Sequence, residues 1–264
     1  MLKKLVTNKR VAVVGPSPHI FGKKQRSYID SFDIVIRINE LGISEDLFED
    51  YGSKTDIVFL TLNTGAVDIY KEMMRRNDLS SICLIVNLQH QYSLQPYLKV
   101  KKTRSIFEQY KDLNLSINLE HLGNDLFFKR CKLFKCYPST GTSAIYELAE
   151  SQVKELYVTG FSFYTTKFNY NKINSNLWKL FGPSDQNILR ASGHDTKKEV
   201  QFLRMYFKKN NNINIHGDKI FKKIILSRVN WYYPTKSFFI KYINLDYLKN
   251  QIKLLLRRLG ASKY

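Results

Sequence analysis

The chain has 264 residues, 44% of them hydrophobic, enough to bury a full core and too apolar for a disordered chain. No apolar run reaches the ~18–20 residues that a membrane-spanning helix needs. Lys and Arg number 42 against 23 Asp and Glu, a net charge of +19 that calls for an anionic partner, either nucleic acid or an anionic membrane surface.

The first ten residues lack the apolar core of a secretory signal and are expected to enter a strand at once, which places the protein in the cytoplasm. Arg10 to Gly15 is a continuous apolar run closed by glycine, as a buried parallel strand reads. Pro16-Ser-Pro-His19 follows as a turn, and Ser27 to Ser31 as a short helix. Phe32 to Asn39 is a second strand whose polar end is expected to point Arg37 and Asn39 at the rim that carries Gly15 and Ser17. A third runs from Asp56 to Thr61, with Thr61 and Asn63 at its end, and Ala66 to Arg76 is helical. Ser81 to Asn87 is a fourth strand, with Cys83 expected in the core.

Residues 88–130 are polar and aromatic, with helical pieces near 104–113 and 124–130, and are expected to form a lid on the acceptor side. Leu133 to Cys136 is expected to be a short strand. Pro138-Ser-Thr-Gly-Thr-Ser143 then opens a helix reaching towards Val153, and Leu156 to Thr159 is a strand ending at Gly160. Asp195 to Lys209 is a helix with Val200, Leu203 and Phe207 on one face, and Asn212 to His216 closes the sheet.

Strands alternating with helices predict one doubly wound, Rossmann-like α/β domain with a mostly parallel sheet, over residues 1–218. Ligands of such sheets bind outside the carboxyl ends of the strands. Gly15, Ser17, Asn39, Thr61, Asn63 and the Ser139–Gly141 loop are expected to converge there. Ser139, Thr140 and Gly141 begin a helix, whose free N–H groups and positive dipole end suit a phosphate; an ordinary cap is the alternative. Tyr164 and Tyr170, in the loop beyond Gly160, can donate hydrogen bonds to a phosphate. His194 stands just before a helix, with Glu199 one turn in, and is the candidate general base; an N-cap of no consequence is the alternative. His19 is a weaker candidate, and His90, His121 and His216 have no companions that suggest a role.

Several chemistries find no motif. GxGxxG, GxxxxGK[ST] and GxSxG are absent. There is no Asp-x-Asp pair, so no metal and no cofactor are expected. Cys83, Cys131 and Cys136 form no CxxC and no zinc-type cluster.

From Lys219 onward there are eleven Lys or Arg and one acid, Asp246, about half of the charge excess. Leu245 to Leu259 reads as an amphipathic helix with Lys249, Lys253, Arg257 and Arg258 on its polar face. Residues 219–264 are therefore expected to be a basic tail that associates with an anionic membrane; packing on the domain, or on a second copy in a homo-oligomer, is the alternative.

Taken together, these segments resemble the sialyltransferases. Val11-Ala-Val-Val-Gly-Pro-Ser17 through Asp33 to Asn39 is similar to sialyl motif L. Tyr137-Pro-Ser-Thr-Gly141 through Val158-Thr-Gly-Phe161 is similar to motif S, and His194-x4-Glu199 has the form of motif VS. Gly160-Phe-Ser-Phe-Tyr164, Tyr170 and Gly193-His194 also resemble the compact bacterial lipooligosaccharide sialyltransferases, which end in a basic tail. The likeness covers about residues 10–216. It implies the GT-A-like variant of the Rossmann-like fold and metal-independent, inverting transfer of sialic acid from CMP-sialic acid to a hydroxyl of a glycan or glycolipid, lipooligosaccharide or capsule.

By that resemblance His194 is the base and Tyr164 and Tyr170 assist the departing phosphate. Ser139, Thr140 and Gly141 hold CMP, Gly15, Ser17, Asn39 and Thr61 line the nucleotide side, and Asn63, Gly160 and Phe161 are further substrate-binding residues. Glu199 either orients local structure or is a surface carboxylate. The implied location is the inner face of a bacterial inner membrane.

The departures matter too. The cysteines that bridge motifs L and S in the animal enzymes are Val11 and Val153 here, as suits a reducing compartment. Pro16 stands where Asn is usual and removes one nucleotide contact. The tyrosine-rich third motif is not evident, and Tyr170 is expected to stand in for it. The motifs see CMP and the leaving phosphate, so CMP-Kdo or another nonulosonic acid is an alternative donor. A basic nucleic-acid-binding protein is the alternative of another class, with Tyr and Phe as stacking groups but no recognised binding module.

Overall fold

The computed structural model describes residues 1–39, 45–60, 81–87, 118–121, 124–163 and 194–227. Seven strands form one sheet: β1 (Arg10–Val14), β2 (Ile34–Ile38), β3 (Ile57–Leu60), β4 (Leu84–Asn87), β5 (Asn118–His121), β6 (Glu155–Thr159) and β7 (Ile215–Gly217). Their order is β5-β4-β3-β2-β1-β6-β7, and every pairing is parallel. The strand order reverses between β1 and β6, which are paired from Arg10↔Glu155 to Val14↔Thr159. That is the switch point of a doubly wound sheet, where the two chain ends diverge and leave a crevice.

The helices are α1 (Leu2–Val6), α2 (Arg26–Asp30), α3 (Phe48–Tyr51), α4 (Asn124–Phe134), α5 (Thr140–Ala149), α6 (Thr196–Lys209) and the short α7 (Lys219–Phe221), which runs on into a π turn, Lys222–Leu226. The central strands are apolar at consecutive positions because both faces of the sheet are covered. Ala12, Val14 and Val35 pack with Ile29, Phe32, Leu47 and Tyr51 on one face. Val11 and Val13, which alternate with them, are just as buried, and α5 packs along β3 and β6. Phe134, Tyr146 and Phe202 meet with ring centroids 4.0–5.7 Å apart, joining α4, α5 and α6. Val200, Leu203 and Phe207 are the buried face of α6, as their spacing predicts.

Several expectations are corrected. The chain does not enter β1 at once: α1 precedes it, burying Leu2 and Val6. Leu133 and Phe134 are the last turn of α4, not a strand, because the apolar positions of 124–134 keep helical spacing. β5 falls inside the stretch read as a lid; only four residues long and polar, it carries little strand signal. The helix aimed at Val153 ends at Ala149. Cys83 is exposed, one residue before β4 begins. Arg37 does not reach the rim. Its guanidinium is buried, donating to Thr55 Oγ1 and to the carbonyls of Tyr51, Gly52 and Lys54, in the turn that leads into β3.

The compact unit runs from Met1 to Arg228, and Phe221, Ile224 and Ile225 are buried in it. Val229–Tyr264 is a second unit, outside the described residues, as are the helices expected at 66–76 and 104–113. Among the described residues no helix is long and apolar enough to cross a membrane.

Arg37 sets a test of the fold. Lysine cannot reproduce the fork that satisfies one hydroxyl and three carbonyls, so Arg37→Lys is expected to cost about 3 kcal/mol, read as a lower urea midpoint with an unchanged slope.

Candidate active site

The crevice is built from four chain segments. The first two are the ends of β1 and β6. The Gly15 N–H donates to the Thr159 carbonyl at 2.8 Å and the Ser17 N–H to the Gly160 carbonyl at 3.0 Å, so the chains stay paired beyond the strands. This approach requires glycine. A Cβ on Gly15 would lie 2.5 Å from the Gly160 oxygen, and one on Gly160 would lie 2.2 Å from the Gly15 oxygen; Gly160 also has φ of +74°. The Phe161 ring lies beside Gly15 and extends to Gly141, where a Cβ would meet it at 2.6 Å. Phe161 thus joins the β1 turn to the start of α5.

The third segment is that start. Ser139 is the N-cap, in extended backbone, and its hydroxyl oxygen accepts from the Thr142 N–H at 3.3 Å. Thr140 and Gly141 lie in the first turn of the helix, and that turn itself contains no acidic residue. The cap and the anion site are therefore compatible readings of one structure.

The fourth segment, 194–199, is zipped to the third. His194 Nδ1 lies 2.6 Å from the Tyr137 carbonyl. A carbonyl only accepts, so Nδ1 carries the proton and Nε2 is the basic nitrogen. The N-cap of α6 is Asp195, whose side chain accepts from the Lys198 N–H, so capping does not account for His194. Glu199 is no surface carboxylate: it is 2% exposed, accepting from the Ser139 hydroxyl at 2.7 Å and the Ser139 N–H at 3.2 Å. Burial pushes its carboxyl up from the ordinary 4.5, against hydrogen bonds from Thr142 and Ser139 and the charge of His194. Burial and the Glu199 carboxylate push the Cys136 thiol up to about 12, which removes it as a nucleophile.

The structure therefore brings Gly15, Ser17, Ser139, Thr140, Gly141, Gly160, Phe161 and His194 to one end of the sheet. Asn39 joins them one strand away, its N–H on the Phe59 carbonyl at 2.8 Å and its φ of 56° in the left-handed region that Asn tolerates. Ser17 is buried, with its hydroxyl on His19 rather than lining open space. Thr61, Asn63, Tyr164 and Tyr170 lie outside the described residues. Phe163, next to Tyr164, holds φ of +47°, a strained value for a bulky side chain. Sequence reasoning missed Asp218, which accepts from the Gly160 N–H and from Thr159 Oγ1. Its signal was a Gly-Asp pair where a strand gives way to a helix. His216, read as having no companion, is paired with Glu155, which Arg10 also binds.

The sequence profile of glycosyltransferase family 29 (sialyltransferase) matches residues 3–211. The chain belongs to that family. It is a glycosyltransferase of the sialyltransferase type. Among curated proteins no sequence matches it. Among solved structures it is similar to the monofunctional alpha-2,3-sialyltransferase Cst-I from Campylobacter jejuni, at 16% identity over 95% of each chain and a TM-score of 0.52. It is also similar to the sialyltransferase CstII from Campylobacter jejuni in complex with a substrate analogue, CMP-3FNeuAc, at 18% identity over 92% of this chain and 98% of that one, with a TM-score of 0.50. Both likenesses are of fold.

The Glu199 clamp has a pH signature. A carboxyl raised in the folded state weakens folding as pH climbs from its unfolded value through its folded one. Glu199→Gln removes that ionisation, so its melting temperature relative to the wild type is expected to be higher at pH 8 than at pH 5, measured by thermal unfolding of both proteins. Glu199→Ala, which strands the Ser139 donors, is expected to melt lower at both values.

Proposed function

We propose that the enzyme transfers sialic acid from CMP-sialic acid to a hydroxyl of a surface glycan, lipooligosaccharide or capsule, with inversion and without a metal. The observation that carries this is the fixed tautomer of His194, held by the Tyr137 carbonyl two residues before the helix start at Ser139. A base and an anion-binding helix start are thereby joined at one end of the sheet. Family membership supplies the donor class.

In the proposed reaction the acceptor hydroxyl oxygen forms a bond to C2 of the sugar on one face, and the C2–O bond to phosphate breaks on the other. The proton passes to His194 Nε2, and the electron pair leaves with CMP. The first-turn N–H groups of α5 offset the growing phosphate charge, with Tyr164 and Tyr170 as further donors. Glu199 acts through Ser139, keeping the helix start in register with His194. CMP-Kdo or another nonulosonic acid remains the alternative donor, since these residues address CMP and the phosphate.

CMP release from CMP-Neu5Ac and from CMP-Kdo, in EDTA, with and without a lactose-type acceptor, tests the reading. Acceptor-stimulated release from CMP-Neu5Ac is expected, with His194→Ala lowering kcat by roughly 100-fold or more. Release from CMP-Kdo alone would change the sugar; release only after a divalent metal is added would sink metal independence.

We also propose that residues 229–264 hold the enzyme on the anionic inner face of a bacterial inner membrane. The support is their cation excess on an amphipathic pattern. Co-sedimentation with phosphatidylglycerol vesicles is expected, and is expected to fall in 0.5 M salt at roughly a 4 Å screening length. Equal binding to neutral phosphatidylcholine vesicles would count against it.

A further inference from the structure

We propose that Asp218 is a positioning residue of the donor site, acting through His19 on Ser17 to fix the turn that follows β1. The inference rests on reading this crevice as the CMP-sugar site.

Asp218 follows β7 directly. Its Oδ1 accepts from the Ile220 and Phe221 N–H groups, both at 2.8 Å, which is all that capping the next helix needs. Its Oδ2 takes three more donors: His19 Nε2 at 2.9 Å, Thr159 Oγ1 at 3.0 Å and the Gly160 N–H at 2.9 Å. Capping does not account for these. They tie the last strand to both chains of the switch point, since Thr159 and Gly160 end β6 and His19 belongs to the turn after β1.

The array also dictates where protons lie. The carboxylate only accepts, so the His19 proton sits on Nε2. In the neutral ring Nδ1 is then bare, and the Ser17 hydroxyl, 2.9 Å away, donates into it. The Ser17 N–H is on Gly160 and its carbonyl accepts from the Tyr51 hydroxyl at 2.9 Å, so every polar group of Ser17 has an assigned direction. Its hydroxyl proton is committed inward to His19, so the side chain acts on the shape of the turn after β1. Burial alone would push the Asp218 carboxyl up; the His19 hydrogen bond and the Phe221 and Gly160 N–H groups outweigh it and hold the carboxyl below its ordinary value.

CMP is titrated by calorimetry into wild type, His19→Phe, Ser17→Ala, the double variant of these two, and Asp218→Asn. Donor KM, kcat and melting temperature are measured alongside. His19→Phe keeps the ring shape and leaves Asp218 its other four donors, so it folds if Asp218→Asn does not. His19→Phe and Ser17→Ala are each expected to weaken CMP binding and raise donor KM about tenfold, with kcat at saturating donor within about threefold of wild type. The double variant is expected to be no worse than either single one, because both cut one chain. Asp218→Asn, where it folds, is expected to move KM the same way. A His19→Phe protein that binds CMP like wild type overturns the proposal, as does an additive double variant or a loss confined to kcat. Wild type that binds no CMP would instead overturn the reading of the crevice itself, and this inference with it.

Discussion

The site depends on the contact between two glycines. β1 and β6 are neighbours in a parallel sheet whose order reverses between them, and their chains should part after the last ladder bond. They do not part at once. Gly15 and Gly160 prolong the pairing by one residue each, at a separation that excludes any side chain. The crevice therefore opens just beyond the glycines. Phe161, projecting from one wall, sets how near the start of α5 can come.

Two carboxylates, Glu199 buried and Asp218 half-buried, then fasten the remaining segments to this frame. Glu199 binds the main chain and hydroxyl of Ser139, which locks α6 to α5 and so relates His194 to the helix start. Asp218 binds Gly160, Thr159 and His19, which locks the end of β7 to β6 and β1. The two differ electrostatically. Glu199 pays more for desolvation than its partners return, while Asp218, with five donors, is stabilised as the anion. In both, the carboxylate's lone pairs are directed at protein donors.

Much of the frame was legible in the sequence because it rests on local patterns. Apolar runs closed by glycine, Asn or Thr mark strands buried on both faces, and β1, β3, β4, β6 and, apart from Arg37, β2 read that way. The helical spacing of Val200, Leu203 and Phe207 and the Ser-Thr-Gly start of α5 are equally local signals. They pointed to Gly15, Ser139, Gly160 and His194, though not to Asp218, and Thr61, Asn63, Tyr164 and Tyr170 lie outside the described residues. What misled was also local: three of the four residues of β5 are polar and Leu133-Phe134 is apolar, so composition suggested a lid and a strand where the chain makes an edge strand and a helical turn.

Sequence by itself determined the doubly wound class and the family motifs and made His194 the candidate base, because hydrophobic period, capping chemistry and motif spacing are properties of consecutive residues. Only the tertiary structure decided which proton His194 carries, that Glu199 is buried, that Arg37 turns away from the rim, and that Asp218 meets His19 across 199 positions. Those outcomes depend on desolvation and on donors brought from distant segments. A carboxylate or a guanidinium has the same one-letter code on a surface as in a core, and its role is set by the partners that folding supplies.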